Sequence, residues 1–515
     1  MAISHHAAAN PDRIATIMAG TGETLTYGEL NDRSIRLARM LQDSGLRPGD
    51  VVALFMENNI RFHEVVWAVL RSGMYLCPIN RYLNADEAAY IVIDSEARAL
   101  ITSTALQSVA AEVASKVDCP IMLSVDGGIE GYESYEAAVA TVDSSPLQSE
   151  PAGDGMYYSS GTTGRPKGIK RSLVKGHFTD PAGLEILLGP TFGFGTDTVY
   201  LSPAPLYHAA PFGFTRTIHA MGGTNVIMER FDALEALRLI EKHQVTHSQW
   251  VPTMFIRMLK LAADERSRYD LSSHRVVVHA AAPCPLDVKH KMIDWWGPII
   301  WEYYGGSELN GLTLCDSEQW LAHPGTVGKP ILGSLHICDE NGTELEPHQP
   351  GAVYFERDRM PFNYHNDPEK TRSAQHPEHP TWTKLGDVGF VDEDGYLHLT
   401  DRESFMIISG GVNIYPQEIE DSLALHPKIR DVAVIGVPNE DFGEEVKAVV
   451  ELEPGFEPSE EIALEILAYA RDRLAGYKVP RSVDFEEQLP RLETGKLYKR
   501  LLRDRYWADH ESRLV

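Results

Sequence analysis

Between Tyr157 and Ile169 the chain reads Tyr-Tyr-Ser-Ser-Gly-Thr-Thr-Gly-Arg-Pro-Lys-Gly-Ile, an aromatic lead-in followed by hydroxyls, glycines and then basic residues. Small residues let backbone N–H groups approach an anion, Ser and Thr add hydroxyl donors, and Lys167 adds charge. Gly, Ser and Thr also form surface loops, but a ten-residue run in this order favours a phosphate cradle over a solvated loop. The run is not a Walker loop, because no Ser or Thr follows Lys167 where GxxxxGK[ST] requires one.

Further candidates lie downstream. Tyr303-Tyr-Gly-Gly-Ser-Glu308 offers a flat aromatic face for a purine and a hard carboxylate ligand for magnesium. His279-Ala-Ala-Ala-Pro283 is a small-residue loop after a strand-like run. Gly386-Asp387 precedes a Gly-turn hairpin, and a carboxylate there is able to accept both hydroxyls of a ribose. Taken singly, Asp387 reads as a turn residue, His208 as a core histidine, and the Gly495-Lys496 pair as a solvated surface pair.

Their order changes that reading. Ser159–Gly168 closely resembles the signature of the adenylate-forming family that contains acyl-CoA synthetases, aryl-CoA ligases, firefly luciferase and nonribosomal adenylation domains. Five ordered motif matches, from Ser159 to Lys496, span about 340 residues. The resemblance implies that Ser159, Ser160, Gly161, Thr162, Thr163, Gly164 and Lys167 hold the phosphates of ATP. It further implies that Ala281, Ala282, Pro283, Tyr303, Tyr304, Gly305 and Ser307 enclose the adenine, and that Glu308 holds Mg²⁺. Asp387 would take the ribose, Arg402 would reach the nucleotide from the domain junction, and Lys496, in Leu489-Pro-Arg-Leu-Glu-Thr-Gly-Lys496, would be the catalytic lysine. Gly410 and Gly411 would let the pantetheine arm of coenzyme A pass close to the backbone. Pro205-Leu-Tyr-His208 resembles the segment that borders the acyl carboxylate, so His208 is expected there. Phe212, Trp250 and Gly306, with Phe214 nearby, are expected to line an apolar acyl pocket, glycine making the space. Ser404-Phe405 departs from the family's hinge, which usually carries Lys or Asp and then Asp. The expected position is polar but uncharged, which puts the domain-swing equilibrium, though not the function, in question.

The elements needed to position these groups are also legible. Apolar runs of strand length alternate with helix-length amphipathic stretches through the first ~400 residues, which predicts stacked βα units. Predicted strands include Val51–Phe55, Leu100–Thr102, Thr198–Ser202, Asn225–Met228, Ser248–Val251 and Arg275–Ala280. Predicted helices include Glu64–Arg71 and Phe231–His243. From Gly325 to Leu399 short strands and turns predict a β-rich subdomain. Beyond it, strands at Val432–Val437 and Lys447–Leu452 and a helix at Ser459–Leu474 predict a small mobile α+β domain. The expected division is residues 1–401, binding acid and ATP, and 402–515, carrying Lys496.

Composition sets bounds. With 47 Lys plus Arg against 74 Asp plus Glu, the formal charge is −27, which opposes nonspecific binding to nucleic acid or anionic lipid. A polyanionic substrate must therefore be met by local groups. No apolar run reaches the ~18 residues of a membrane span. The start lacks a secretory or transit pattern, so a cytoplasmic location is expected. The five cysteines are scattered and form no CxxC pair, which argues against a disulfide framework and a zinc site. The implied reaction joins a hydrophobic fatty, aryl or alicyclic acid to coenzyme A through an acyl-adenylate, with ATP and Mg²⁺. A ligase that loads a carrier-protein thiol, a luciferase-like oxygenase and a nucleotide sensor that has lost its chemistry are the competing readings. Small molecules are the expected partners, with a homodimer left open.

Overall fold

The structure, a computed structural model, describes residues 2–158, 166–402, 405–409, 412–439, 442–491 and 497–508. Ser159 to Gly164, Ser404, Gly410, Gly411 and Lys496 therefore lie outside the described residues. The side chain of Arg402 does too, although its backbone belongs to the strand Leu397–Arg402.

Besides a short three-stranded sheet of Tyr157–Tyr158, Gly168–Lys170 and Asn363–Tyr364, two large sheets carry the first four hundred residues. The smaller has six strands, all parallel, with Val51–Phe55 near its centre, between Ala97–Ser103 and Tyr75–Ile79. Every residue of Val51–Phe55 is buried, which is why it reads as an unbroken apolar run rather than an alternation. The helix Phe62–Leu70 is buried along its whole length. Its one acidic residue, Glu64, is tolerated there because Arg33 and Arg61 each approach it at 2.9 Å and the Tyr135 hydroxyl donates at 3.2 Å.

The larger sheet has thirteen strands. One half is built mainly of parallel strands: Ile14–Met18, Thr224–Ile227, Val199–Ser202, His247–Trp250, Val276–His279 and Ile300–Tyr304 are neighbours in that order. From Ile300–Tyr304 onward each further pairing is antiparallel, through Leu312–Cys315 and Thr326–Leu332 to Leu397–Arg402 and Trp382–Val391. The β-rich region predicted over 325–399 is thus hydrogen-bonded onto the edge of the parallel half, and the parallel-to-antiparallel change falls at Tyr304. A crevice outside the carboxyl ends of parallel strands is where α/β sheets place ligands.

The longest helix, Tyr27–Asp43, starts at a capping box. The Thr26 side chain accepts from the Glu29 N–H, and the Glu29 carboxylate takes the Thr26 N–H. Toward the C-terminus, Ile407–Ser409, Val412–Ile414, Ile429–Asn439, Gly443–Leu452 and Ser482–Phe485 make a separate five-stranded sheet with its own core around Ile419, Val434, Ala448 and Ile466. The helix Glu460–Arg471 packs there, inside the predicted Ser459–Leu474. Among the described residues no helix is long and apolar enough to cross a membrane.

Candidate active site

A single cleft of about 1830 Å³ runs between the large sheet and the C-terminal sheet. Ordinary small-molecule sites measure roughly 300–1,000 Å³, so this one has room for two substrates at once. Lys167, Ala281, Ala282, Pro283, Tyr303, Tyr304, Gly305, Gly306, Ser307, Glu308, Asp387, His208 and Phe212 all line it. The residues singled out in separate motifs therefore converge wherever the structure describes their side chains, with two exceptions, Trp250 and Phe214, treated below.

At one end, the strands Ile300–Tyr304, Trp382–Val391 and Leu397–Arg402 come together. Tyr304 closes Ile300–Tyr304, and its hydroxyl donates to Asp387 Oδ2 at 2.7 Å. Asp387 is buried within Trp382–Val391, where its register partner is Arg402. This pairing places the backbone of Arg402 beside Asp387. Glu308 is buried as well, and its Oε1 accepts from the Tyr364 hydroxyl at 2.9 Å. Lys167 Nζ is hydrogen-bonded to Asp367 Oδ2. Neither Tyr364 nor Asp367 was singled out from the sequence. They stand 56 and 200 residues from their partners, so no local pattern announces them.

The opposite wall of this end is the turn after Val276–His279. Ala281 has φ +78°, a left-handed conformation uncommon outside glycine, and such a residue persists only where its surroundings hold it. Beneath the turn lies a buried polar group. Lys289 Nζ donates to Glu302 Oε2 at 2.6 Å, and His279 Nε2 lies 3.4 Å from the same oxygen. Burial pushes Glu302 above the usual carboxylate range despite Lys289, and burial first, then Lys289, holds His279 well below its ordinary value. The imidazole is accordingly neutral at pH 7. His279 and Glu302 each stand two residues before a wall of the slot, Ala281 on one side and Tyr304 on the other.

Gly305 and Gly306 need their missing side chains for packing. A Cβ on Gly305 would stand 2.8 Å from Leu312 Cδ1 and 3.1 Å from the Gly311 carbonyl; one on Gly306 would stand 2.2 Å from Leu385 Cδ1. Gly306 lines the cleft, and a Cβ there would also meet Glu308 Oε2, at 2.8 Å.

The other end follows the helix Ala209–Met221. His208 is its N-cap, with its ring 4.2 Å from that of Tyr207, and Phe212 stands one turn on, edge to Tyr157 at 5.9 Å. Trp250 is not here. It is 1% exposed, donates from Nε1 to Ser248 Oγ at 2.6 Å, and packs against Trp296 at 5.6 Å in the core between sheet and helices. Phe214 is likewise core, stacked between Tyr200 and Tyr303. The expected place of both on the acyl pocket is corrected: His247–Trp250 is covered on both faces, so an aromatic residue in it points into protein either way, and Phe214 lies on the side of Ala209–Met221 that packs into the core with Leu188, Tyr200 and Leu312.

Among the described residues no group of three or more His, Cys, Asp or Glu gathers to hold a metal. A lone buried carboxylate such as Glu308 fits Mg²⁺, which keeps waters and substrate phosphates as most of its ligands.

An open α/β sheet with a two-substrate cleft at its strand ends and a separate C-terminal sheet facing it defines the class of adenylate-forming enzymes. The chain belongs to the AMP-binding enzyme family: the family's main model matches residues 3–362, and the AMP-binding enzyme C-terminal domain matches residues 418–496. It is similar to a feruloyl-CoA synthase of an Amycolatopsis species, 34% identical over 96% of each chain. It is also similar to a long-chain-fatty-acid–CoA ligase of Mycobacterium tuberculosis, 30% identical over 98% of each. Among solved structures, the o-succinylbenzoate CoA synthetase of Bacillus subtilis in complex with its acyl-adenylate intermediate superposes with a TM-score of 0.81 at 25% identity, covering 98% of this chain and 97% of that one.

Proposed function

We propose that the protein is an ATP-dependent ligase that joins a hydrophobic carboxylic acid to coenzyme A through an acyl-adenylate. The observation that carries this reading is one continuous cleft with the Tyr304–Asp387 and Glu308–Tyr364 pairs at one end and His208 and Phe212 at the other. The activities named for the two relatives, on an aryl acid and on long-chain acids, agree with it.

Tyr304 stacks on adenine against the Ala281–Pro283 turn, and Asp387 accepts from the ribose hydroxyls. Ser159 to Gly164 and Lys167 hold the phosphates, and Glu308 holds Mg²⁺, which neutralises phosphate charge when bound. The acid's carboxylate, bordered by His208, attacks the α-phosphorus; the bond to pyrophosphate breaks, with Lys496 stabilising the charge at the transferring group. The unit beyond residue 401 then turns about Ser404, bringing Gly410 and Gly411 to the thiol path and withdrawing Lys496. The thiolate of coenzyme A attacks the acyl carbonyl, and AMP leaves with the electron pair of the broken anhydride bond.

A pyrophosphate-release assay over fatty, aryl and alicyclic acids, with and without coenzyme A and with products weighed by mass spectrometry, tests this. Acid-dependent release ending in acyl-CoA supports it. Acyl-AMP that persists in the presence of coenzyme A would overturn it in favour of carrier-protein loading.

A further inference from the structure

The acyl end of the cleft contains an ion pair that the adenylation chemistry does not use. His208, Phe212 and Arg216 follow one another at four-residue spacing and all line the cleft, so Arg216 stands about 12 Å along the helix from His208. Arg216 Nη2 donates to Glu185 Oε1 at 3.1 Å. The Glu185 side chain is 5% exposed, and its second oxygen is buried with no hydrogen-bond partner. The Arg216 side chain is 18% exposed. A guanidinium carries five N–H donors, and this contact uses one.

The wall beside it is largely apolar, although the Arg171–Asp154 ion pair lines the same cleft. Leu184, Leu187 and Phe212 line the same wall, and the helix Leu184–Leu187 presses so closely that a Cβ on Gly213 would stand 3.0 Å from Leu184 Cδ1. Withdrawing two charges from water is costly, and two apolar residues would join these helices at least as well. A pair kept in such a wall, with Arg216 lining the cleft, is suited to a ligand. Its charge is also informative. Glu185 offsets the charge of Arg216, so a second carboxylate on the substrate would meet a nearly neutral pair, whereas a neutral oxygen would find a strong donor.

Resting on the ligase reading above, we propose that Arg216, neutralised by Glu185, is a specificity determinant. It reads an uncharged hydrogen-bonding group, such as a hydroxyl, on the acid at the end remote from its carboxylate. The preferred substrate is then neither a plain fatty acid nor a diacid, but a hydrophobic acid bearing one distal polar oxygen.

The test compares matched acids: cinnamate with its para-hydroxy and para-carboxy derivatives, and octanoate with its terminal hydroxy derivative. Each is assayed by pyrophosphate release on the full-length wild type and on Arg216→Met and Glu185→Gln. The wild type is expected to favour the hydroxylated member of at least one pair by about tenfold or more in kcat/KM, through the KM for the acid, with the KM for ATP unchanged. Arg216→Met is expected to erase that preference. Glu185→Gln, nearly isosteric and so folded even where Arg216→Met is not, is expected to shift it toward the para-carboxy acid by exposing the uncompensated guanidinium. Equal use of hydroxylated and parent acids, or a preference that survives in both variants, would overturn the proposal and leave the ligase reading intact. Absence of turnover with every acid would overturn the ligase reading and this one with it.

Discussion

The two ends of the cleft are held in different ways. At the nucleotide end, side chains are fixed by hydrogen bonds to one another, Tyr304 to Asp387 and Tyr364 to Glu308. At the acyl end, the wall is a helix face and a set of apolar contacts, with Arg216–Glu185 as its polar feature. A nucleotide has one shape, and rigid donors and acceptors suit it; an acyl group varies, and a wall of helix side chains changes shape with each substitution. The first end should therefore respond to mutation in ATP parameters alone, and the second in acid parameters alone.

Lys496→Ala should have the largest effect, lowering acyl-adenylate formation by roughly a hundred- to a thousandfold, as losing one charge stabiliser does. ATP affinity, measured by calorimetry, should stay within a few-fold, and normal adenylation would refute its role. Asp387→Ala should raise the KM for ATP about ten- to a hundredfold while sparing that of the acid, because the ribose acceptor and the partner of Tyr304 are lost together. A shift in acid selectivity instead would merge the two ends. Phe212→Ala should do the converse, raising the KM for hydrophobic acids by about tenfold with that for ATP unchanged.

The next effect is on pH. His279 is held well below its ordinary value by burial, so the unfolded chain takes up a proton below about pH 6.5 that the folded chain refuses. Stability then falls as pH falls through this range, His279 contributing to the loss. Urea unfolding of wild type and of His279→Gln at pH 7.5 and 5.5 should show the wild type losing more; equal losses would place the acid lability elsewhere. Tyr304→Phe should be mildest, a few-fold in the KM for ATP, since it keeps the ring and loses one hydrogen bond.

What was legible in the sequence divides along the same line. Ligands with fixed shape require fixed residue types at short spacing, so Tyr303–Glu308 and Gly386-Asp387 stood out as contiguous words. The acyl wall did not, because its residues come from several elements. Glu185 and Arg216 are 31 residues apart, and the helix bearing Glu185 spans only Leu184–Leu187. Trp250 misled because an aromatic beside Val-Pro reads equally as pocket or core, and burial on both faces of His247–Trp250 removes the alternation that would decide. The strands Val51–Phe55 and Val199–Ser202 were read nearly to the residue from apolar runs of the right length. Tyr27–Asp43 carries its start signal in Thr26 and Glu29 but none of the residues that do chemistry.

Lys260 at the end of Pro252–Leu259 donates to Glu453 at 2.6 Å and to the Ile429 carbonyl of the C-terminal sheet. The proposed turn of the C-terminal unit would part these groups in each cycle and later rejoin them. The lysine and glutamate side chains remain 23% and 25% exposed, within reach of dissolved ions. Ionic strength would then act as a throttle on turnover, altering how often the two halves separate without touching any group that meets ATP, acid or thiol.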